Sequence, residues 1–408
     1  MTKSSKIKEP YDGRFFPQEY GRFRKDILIH FVLNVLNGTR SVFDPMAGSA
    51  PLLPVAQASG VATVLSDMLP VHYYVNKAKT INVWREAATF ERKRKMSISD
   101  VILECLSEVG DTRLLVSDDW FPREIFDGLR LAWKKTDDYP GLMPFLLKGL
   151  LLLSLRGMAS FWTTQRNCYW HRPGGLTSAV PLQGFIGDPV DKFRQLWKYY
   201  DSNVSPEFTP PRSEFFICDA AEFRVRKRFQ TIITSPPYPN RFDYSRMFGP
   251  ELSFLSQVPG EHQDWMNLRP IGTNSVRGFV PTLTDTQYIA SHSRSAAKFL
   301  AHVAKRGKKR ESDYYYKYFM LYYLKLFRTI ENMVHLLSIN GTIYIVVQEN
   351  MHRDELNPLG KCCTECLSSL GLKTDADLKW LVGHQGRRNI NSVYIKQHRE
   401  FIVRATRP

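Results

Sequence analysis

No apolar run in the chain approaches the ~18 residues that a membrane-spanning helix needs. The longest, Pro144 to Leu155, is broken by Lys148 and Ser154 and predicts a buried core helix. Cysteine is scarce, with six in 408 residues. That number in a chain this long excludes a disulfide framework and points to a reducing cytoplasm. Cys362, Cys363 and Cys366 contain a CxxC spacing but lack the second pair that a structural zinc site usually wants, and Cys105, Cys168 and Cys218 are scattered. Buried, reduced thiols on a helix and no metal site are expected. Acidic residues are in deficit, 40 against 56 Lys and Arg, which leaves a net charge of +16. Such an excess points to a polyanionic partner, nucleic acid ahead of an acidic membrane surface. Met1 to Pro10 is polar and has no apolar centre, so no signal peptide is expected there.

Hydrophobic periodicity outlines the elements. Ile27, Leu28, Phe31, Val32, Val35 and Leu36 fall at helical spacing, and Asn37-Gly38 stops that helix. Short apolar strands are expected at Ser41 to Phe43, Val61 to Leu65, Phe215 to Ile217, Thr231 to Ile233 and Thr342 to Val347, with two more at Ser392 to Ile395 and Glu400 to Val403. Helices are expected near Leu52 to Ala56, Phe145 to Met158, Tyr314 to Leu337 and Gly360 to Leu370. Strands alternating with helices argue for an α/β, doubly wound parallel sheet. The expected organisation is an N-terminal helix and first half of the core at 1–70, a mainly helical insertion at 71–212, and the second half of the core at 213–408 with a basic loop at about 269–310.

Ligands of such sheets bind at the carboxyl ends of the strands. Asp44, Asp67, Asp219 and Ser235 each follow a predicted strand and would line that rim. In Phe43-Asp44-Pro45-Met46-Ala47-Gly48-Ser49-Ala50, small residues let a ligand approach the backbone and the next helix offers its N-terminus. An ordinary strand-to-helix turn with a capping Asp would look similar. Asp67, about 20 residues on, suits ribose hydroxyls, or else is a turn residue. Thr234-Ser235-Pro236-Pro237-Tyr238-Pro239-Asn240 is more specific. Two prolines after a strand fix an extended backbone whose carbonyls can point into a cavity. A rigid carbonyl, a hydroxyl and a ring suit a flipped-out base held by its amino group.

Together these segments resemble the N4-cytosine and N6-adenine DNA amino-methyltransferases. FDPMAGSA resembles their glycine-rich S-adenosylmethionine motif, although Met46 and Ala50-Pro51 replace its usual Phe and Gly-Thr. SDMLP resembles the acid ending the second strand, FICDAAEF the acid beside the adenine ring, and TSPPY the catalytic motif. Arg241, Asp243, Tyr244 and Glu251 extend the match, as do GTIYIVVQEN and EFIVRA, which resemble late strands of the fold. Phe15, Phe16 and Pro17 resemble the N-terminal motif near the methionine end of the cofactor. The match spans about 1–80 and 213–408; the insertion has no transferable pattern.

The resemblance implies a Rossmann-like class I methyltransferase sheet carrying a large, mainly helical insertion. It assigns Phe16, Pro17, Asp44, Pro45, Ala47, Gly48, Ser49, Asp67 and Asp219 to S-adenosylmethionine, and Ser235, Pro236, Pro237 and Tyr238 to catalysis. The Ser235 hydroxyl and Pro236 carbonyl would accept the amino hydrogens of the extruded base, and Tyr238 would stack on it. Ser before Pro-Pro-Tyr favours cytosine N4, with adenine N6 as the alternative. No Pro-Cys dipeptide, the mark of the carbon-5 enzymes, occurs. Double-stranded DNA is the expected partner, with Arg166, Arg172, Arg241, Arg277, Lys308 and Arg387 as candidate contacts. The implied setting is the modification part of a prokaryotic, cytoplasmic restriction-modification system. Since no nuclease signature is visible, the restriction endonuclease would be a separate chain. An RNA methyltransferase and an inactive methyltransferase-fold binding protein remain the rival readings.

Overall fold

The computed structural model describes residues 34–109, 120–159, 162–163, 170–171, 182–239, 243–258, 268–305, 309–353, 355–375, 382–383 and 399–408. In chain order, β1 (Ser41–Asp44), α1 (Leu52–Ala58) and β2 (Ala62–Asp67) come first. Helices α2 (Pro70–Ala78), α3 (Ile81–Arg94), α4 (Ile98–Cys105), α5 (Arg123–Lys135) and α6 (Met143–Met158) follow. The small hairpin of β3 (Trp162–Thr163) and β4 (Trp170–His171) precedes α7 (Leu182–Asn203), β5 (Ser213–Ile217) and β6 (Phe229–Thr234). Next are α8 (Tyr244–Met247), α9 (Gly249–Leu255), α10 (Leu283–His292), α11 (Arg294–Lys305) and α12 (Lys309–Leu336). The last elements are β7 (Leu337–Gln348), β8 (Asn350–His352), β9 (Glu355–Asn357), α13 (Leu359–Ser369), β10 (Lys373–Thr374), β11 (Val382–Gly383) and β12 (Arg399–Thr406).

The main sheet has the order β10-β12-β7-β6-β1-β2-β5, and β11 also pairs with β12. From β5 to β7 every pairing is parallel, whereas β12 runs antiparallel to both β7 and β10. Counted in chain order, the parallel strands lie 3-2-1-4-5, the order of a Rossmann-like α/β sheet. The central strands β1 and β6 carry buried side chains on both faces because helices cover both. Phe43, Val64 and Ile232 join the core under α12 and α13. Their neighbours Val42 and Ile233 pack with Leu52 and Val55 of α1, and Leu65 with Leu53. Phe43 itself is stacked between Phe223 and Phe229, with ring centroids 4.8 and 4.6 Å away.

Helices α2 to α7 build a second core around the fully buried Leu146, Leu147, Leu150, Leu151 and Leu155. The longest apolar run is thus the central helix of a helical layer, and no helix among the described residues is long and apolar enough to cross a membrane. Gly149 allows α6 to lie close on α2, since a β-carbon there would stand 2.9 Å from the Ala78 methyl. Phe248, Leu252, Phe254 and Leu255, from the segment after the Pro-Pro-Tyr motif, belong to this same core. A fully buried Glu251 on α9 pairs there with Arg156 on α6, which also donates to the Met247 carbonyl at 3.0 Å.

The segment 269–310, expected as a basic loop, folds largely as α10 and α11. Thr282 and Asp285 form a capping box that starts α10, and Ala296, Phe299, Leu300 and Val303 are buried at helical spacing along α11. The basic residues occupy only the outer face, which hid this period. The strand expected at Ser392 to Ile395 and most of the helix at Asp26 to Leu36 lie outside the described residues.

Removing one member of a buried ion pair leaves an uncompensated charge, at a cost of about 3–5 kcal/mol. Arg156→Ala should lower the stability to urea by that amount. A double Arg156→Leu, Glu251→Leu variant should recover most of it, because apolar replacement of both partners removes the desolvation cost. Equal losses in the single and double variants would show that a stranded Glu251 charge is not the source of the loss.

Candidate active site at the carboxyl rim of the sheet

The chain runs outward from β1 through β2 to β5 and then returns to place β6 on the other side of β1. The point of reversal lies between β1 and β6, and in open α/β sheets ligands bind in the crevice outside the strand ends there. Val42 pairs with Thr231 and Phe43 with Ile232. That register brings the turn after Asp44 and the Ser235-Pro236-Pro237-Tyr238 segment out of the sheet side by side. Asp67, ending β2, and Asp219, following β5, continue the same rim.

The turn after β1 is tightly held. Asp44 is buried and accepts from the Met46 amide at 3.1 Å. Ala50 donates back to the Ala47 carbonyl at 2.7 Å. Gly48 has φ +51° and Ala50 has φ +44°, a region where a β-carbon costs roughly 1–2 kcal/mol. A β-carbon on Gly48 would meet nothing within 4 Å, so the backbone there is open to an approaching group. Asp67 fastens this turn from below. Its Oδ2 accepts from the Gly48 amide and its Oδ1 from the Leu69 amide, both at 2.8 Å, and His72 Nδ1 stands 3.0 Å from Oδ1. Helix α2 adds Asn76, whose amide donates to the Gly48 carbonyl at 2.8 Å, and the next residue but two brings Lys79, whose fully buried ammonium donates to the Ser49 carbonyl.

These contacts separate the two carboxylates electrically. Burial pushes the Asp44 carboxyl up to about 7; the Asp67 charge adds to the rise, and the Thr234 hydroxyl and Met46 amide offset part of it. Burial also acts on Asp67, but His72 and the two amides outweigh it and hold that carboxyl below its usual range. Two buried polar atoms beside the turn, Asn76 Oδ1 and Thr234 Oγ1, have no hydrogen-bond partner of regular geometry among the described residues. Half-buried Asp219 accepts from the Ala221 amide at 3.0 Å, and its charge favours the ammonium of Lys325, which burial otherwise pushes down.

The Pro-Pro-Tyr segment is fixed from the opposite side. Tyr322 of α12 donates to the Pro237 carbonyl and Asn350 of β8 to the Pro239 carbonyl, each at 2.9 Å. The Pro236 carbonyl has no such donor among the described residues. Ser235 Oγ donates to the Tyr238 hydroxyl at 3.3 Å, which turns the lone pairs of the serine elsewhere. Tyr238 was expected to present a ring face, yet it is only 4% exposed. Its neighbours must shift before anything stacks on it. Asp243, a few residues on, is buried and gathers the Thr273 hydroxyl at 3.1 Å and the Asn274 amide at 2.8 Å, which draws the 268–276 segment to this rim.

Of the expected contacts, Asp44, Pro45, Ala47, Gly48, Ser49, Asp67, Asp219 and the Ser235 to Tyr238 run all sit at this end of the sheet. Arg277 is exposed on the segment after Asn274. Phe16, Pro17, Arg166, Arg172, Arg241, Lys308 and Arg387 lie outside the described residues. His72, Asn76 and Lys79 were missed. Their i, i+4, i+7 spacing marks one polar face of α2, a signal that an ordinary solvated face gives equally well. Cys362, Cys363 and Cys366 are buried, free thiols on α13, and no cluster of metal-ligating side chains occurs among the described residues. In comparisons with known proteins, no family model and no curated sequence matches the chain.

A carboxyl whose folded pKa is raised from 3.8 to about 7 stabilises the fold through its proton. That contribution is complete below about pH 4 and is lost as pH rises through about 7. Asp44→Asn does not titrate. Its stability relative to wild type should therefore rise by up to about 4 kcal/mol between about pH 4 and pH 8. Urea midpoints across that range test this, and a constant difference would show an ordinary, ionised Asp44.

Proposed function

We propose that the chain is an S-adenosylmethionine-dependent methyltransferase acting on the exocyclic amino group of a base extruded from duplex DNA. Cytosine N4 is the favoured target, given Ser ahead of Pro-Pro-Tyr. The single observation that carries this reading is the adjacency of the Asp44 to Ala50 turn and the Ser235 to Tyr238 segment at the reversal point of the sheet. One fits a cofactor and the other a base, and their strands are hydrogen-bonded neighbours. The class I sheet implied by the resemblance is supported by the terminal strand with EFIVRA, which pairs antiparallel with GTIYIVVQEN.

The residues present fit the cofactor. The open side of Gly48 accepts close approach, Asn76 Oδ1 has no hydrogen-bond partner among the described residues, and buried Asp44 would regain its charge beside a cationic group. Asp67 departs from the expected role in part, because it already serves the Gly48 and Leu69 amides. Its Oδ2 keeps one lone pair for a hydroxyl. When bound, S-adenosylmethionine supplies a methyl group activated on a sulfonium centre.

The amino nitrogen of a base is a poor nucleophile because its lone pair is delocalised into the ring. Ser235 Oγ, its own hydrogen engaged by Tyr238, can accept one amino hydrogen, and the Pro236 carbonyl the other. Both acceptors favour a tetrahedral nitrogen with a localised lone pair; that pair would form the bond to the methyl carbon as the carbon–sulfur bond breaks, and the nitrogen would shed its surplus proton to water through one of these hydrogen bonds. Pro236 and Pro237 fix the directions of these acceptors, so little reorganisation is needed at the moment of transfer. The net charge of +16 suits the phosphate backbone, and the biological setting would be the modification arm of a restriction-modification system whose nuclease is another chain.

Tyr238→Ala should slow single-turnover methyl transfer to unmethylated plasmid DNA by roughly 5- to 150-fold, the equivalent of about 1–3 kcal/mol of base stacking. Tyr238→Phe keeps the ring and should lose much less. Ser235→Ala should cost about 1 kcal/mol through one hydrogen bond. All three should bind S-adenosylmethionine in calorimetry as the wild type does. A folded Tyr238→Ala protein with the wild-type rate would contradict the assigned site.

A further inference from the structure

Few large apolar side chains of the described residues stand far out in solvent, and two of them lie three residues apart. Val280 is 74% and Leu283 is 73% exposed. Single exposed aliphatics are unremarkable. This pair sits on a segment that is otherwise firmly anchored. On one side, Val276 is buried and Phe279 packs against the core under α12. On the other, the Thr282–Asp285 capping box starts α10, and α10 is tied to α12 by Tyr288, which donates to Glu331 at 2.7 Å. Gly278, at φ +80°, makes the turn, and Pro281 stiffens it. The two side chains are therefore held outward by structure rather than left there by a loose loop.

The segment itself is basic, and the acids that reach it from neighbouring elements are engaged: Glu331 by Tyr288 and His292, Glu365 by Ser293 and Ser295, and Glu355 by His302. Between residues 268 and 305 the chain has five Lys and Arg and one acid, Asp285, which is engaged in the capping box. Arg277 on the turn and Arg294 and Lys298 on α11 are exposed. The base of the segment is drawn to the rim through Thr273, Asn274 and Asp243, and Asp243 follows Tyr238 by five residues, at most ~18 Å of chain.

We propose that Val280 and Leu283 form a wedge that enters duplex DNA beside the target base, with Arg277 on the neighbouring phosphate. This rests on the reading given under Proposed function and deepens it. Extruding a base leaves a gap in the stack, and apolar side chains inserted between base steps are a known way of opening and holding such a gap. Aliphatic tips in a basic surround match that chemistry: the tips suit the apolar base faces, and the cations suit the flanking phosphates.

The probe is unmethylated plasmid DNA whose methylated positions have been located by sequencing after incubation with S-adenosylmethionine. Wild-type protein should raise the permanganate reactivity of thymines next to those positions, because unstacked thymines are exposed to the oxidant. The Val280→Ser, Leu283→Ser double variant should bind the same DNA within about threefold, since it keeps every charge. It should nevertheless lose most of that reactivity and methylate about tenfold more slowly. Both positions are exposed, so the variant is expected to fold, which its urea midpoint checks. Wild-type reactivity in the double variant would overturn the wedge while leaving the methyltransferase reading intact. Absence of any methylated position with the wild-type protein would overturn that reading, and the wedge with it.

Discussion

The Asp67 carboxylate accepts from amides in two different turns and lies against His72, and the geometry of the rim depends on that arrangement. A carboxylate bonded to several N–H donors makes charge-assisted hydrogen bonds, stronger than neutral ones. Because His72 and the amides hold Asp67 ionised against the effect of burial, those bonds persist below the usual carboxylate range. They hold Gly48 with a left-handed backbone whose outer side is open. His72 also favours the charged form of Glu251, and its ring meets Phe248 edge-on at 4.9 Å. The pinned turn is thereby in electrostatic contact with the buried Arg156–Glu251 pair, and so with the helical layer that the insertion builds.

The Pro-Pro-Tyr segment is immobilised differently. Its carbonyls at Pro237 and Pro239 are taken up by Tyr322 and Asn350, and the Pro236 carbonyl has no such donor among the described residues. One loop is thus held by a charge and the other by proline stiffness and two hydrogen bonds. On the proposed reading this division is useful. The cofactor turn needs an electrostatic setting, with Asp44 near neutrality and Asp67 fully charged, whereas the base-holding segment needs fixed directions. Burial of Tyr238 adds a condition: its ring must be uncovered before a base can lie on it.

Much of this was legible in the sequence where a pattern had one physical explanation. Strands such as Ser41–Asp44 and Phe229–Thr234 bury side chains on both faces, because both faces are covered. The acids after them sit at the rim because a parallel sheet sends all its carboxyl ends the same way. Other features had two explanations. His72, Asn76 and Lys79 look like the wet side of an amphipathic helix, and only the fold turns that side toward the Gly48 turn. The exposed cations of α11 obscured a buried period that Phe299 and Val303 carry. Tyr238 gave no sign that it would be covered, since an aromatic after Pro-Pro serves a ligand face or a core equally well.

On the proposed reading, the two adjacent loops form one site for methylating a DNA base at its amino nitrogen. The most direct measurement is mass spectrometry of nucleosides from the DNA and RNA of a methylation-deficient host expressing this chain. N4-methylcytosine, or N6-methyladenine, is expected in DNA and should disappear when Asp67 and Tyr238 are both replaced by Ala. Unmodified DNA alongside a new methylated nucleoside in RNA, or no methylated nucleoside in either, would contradict that reading.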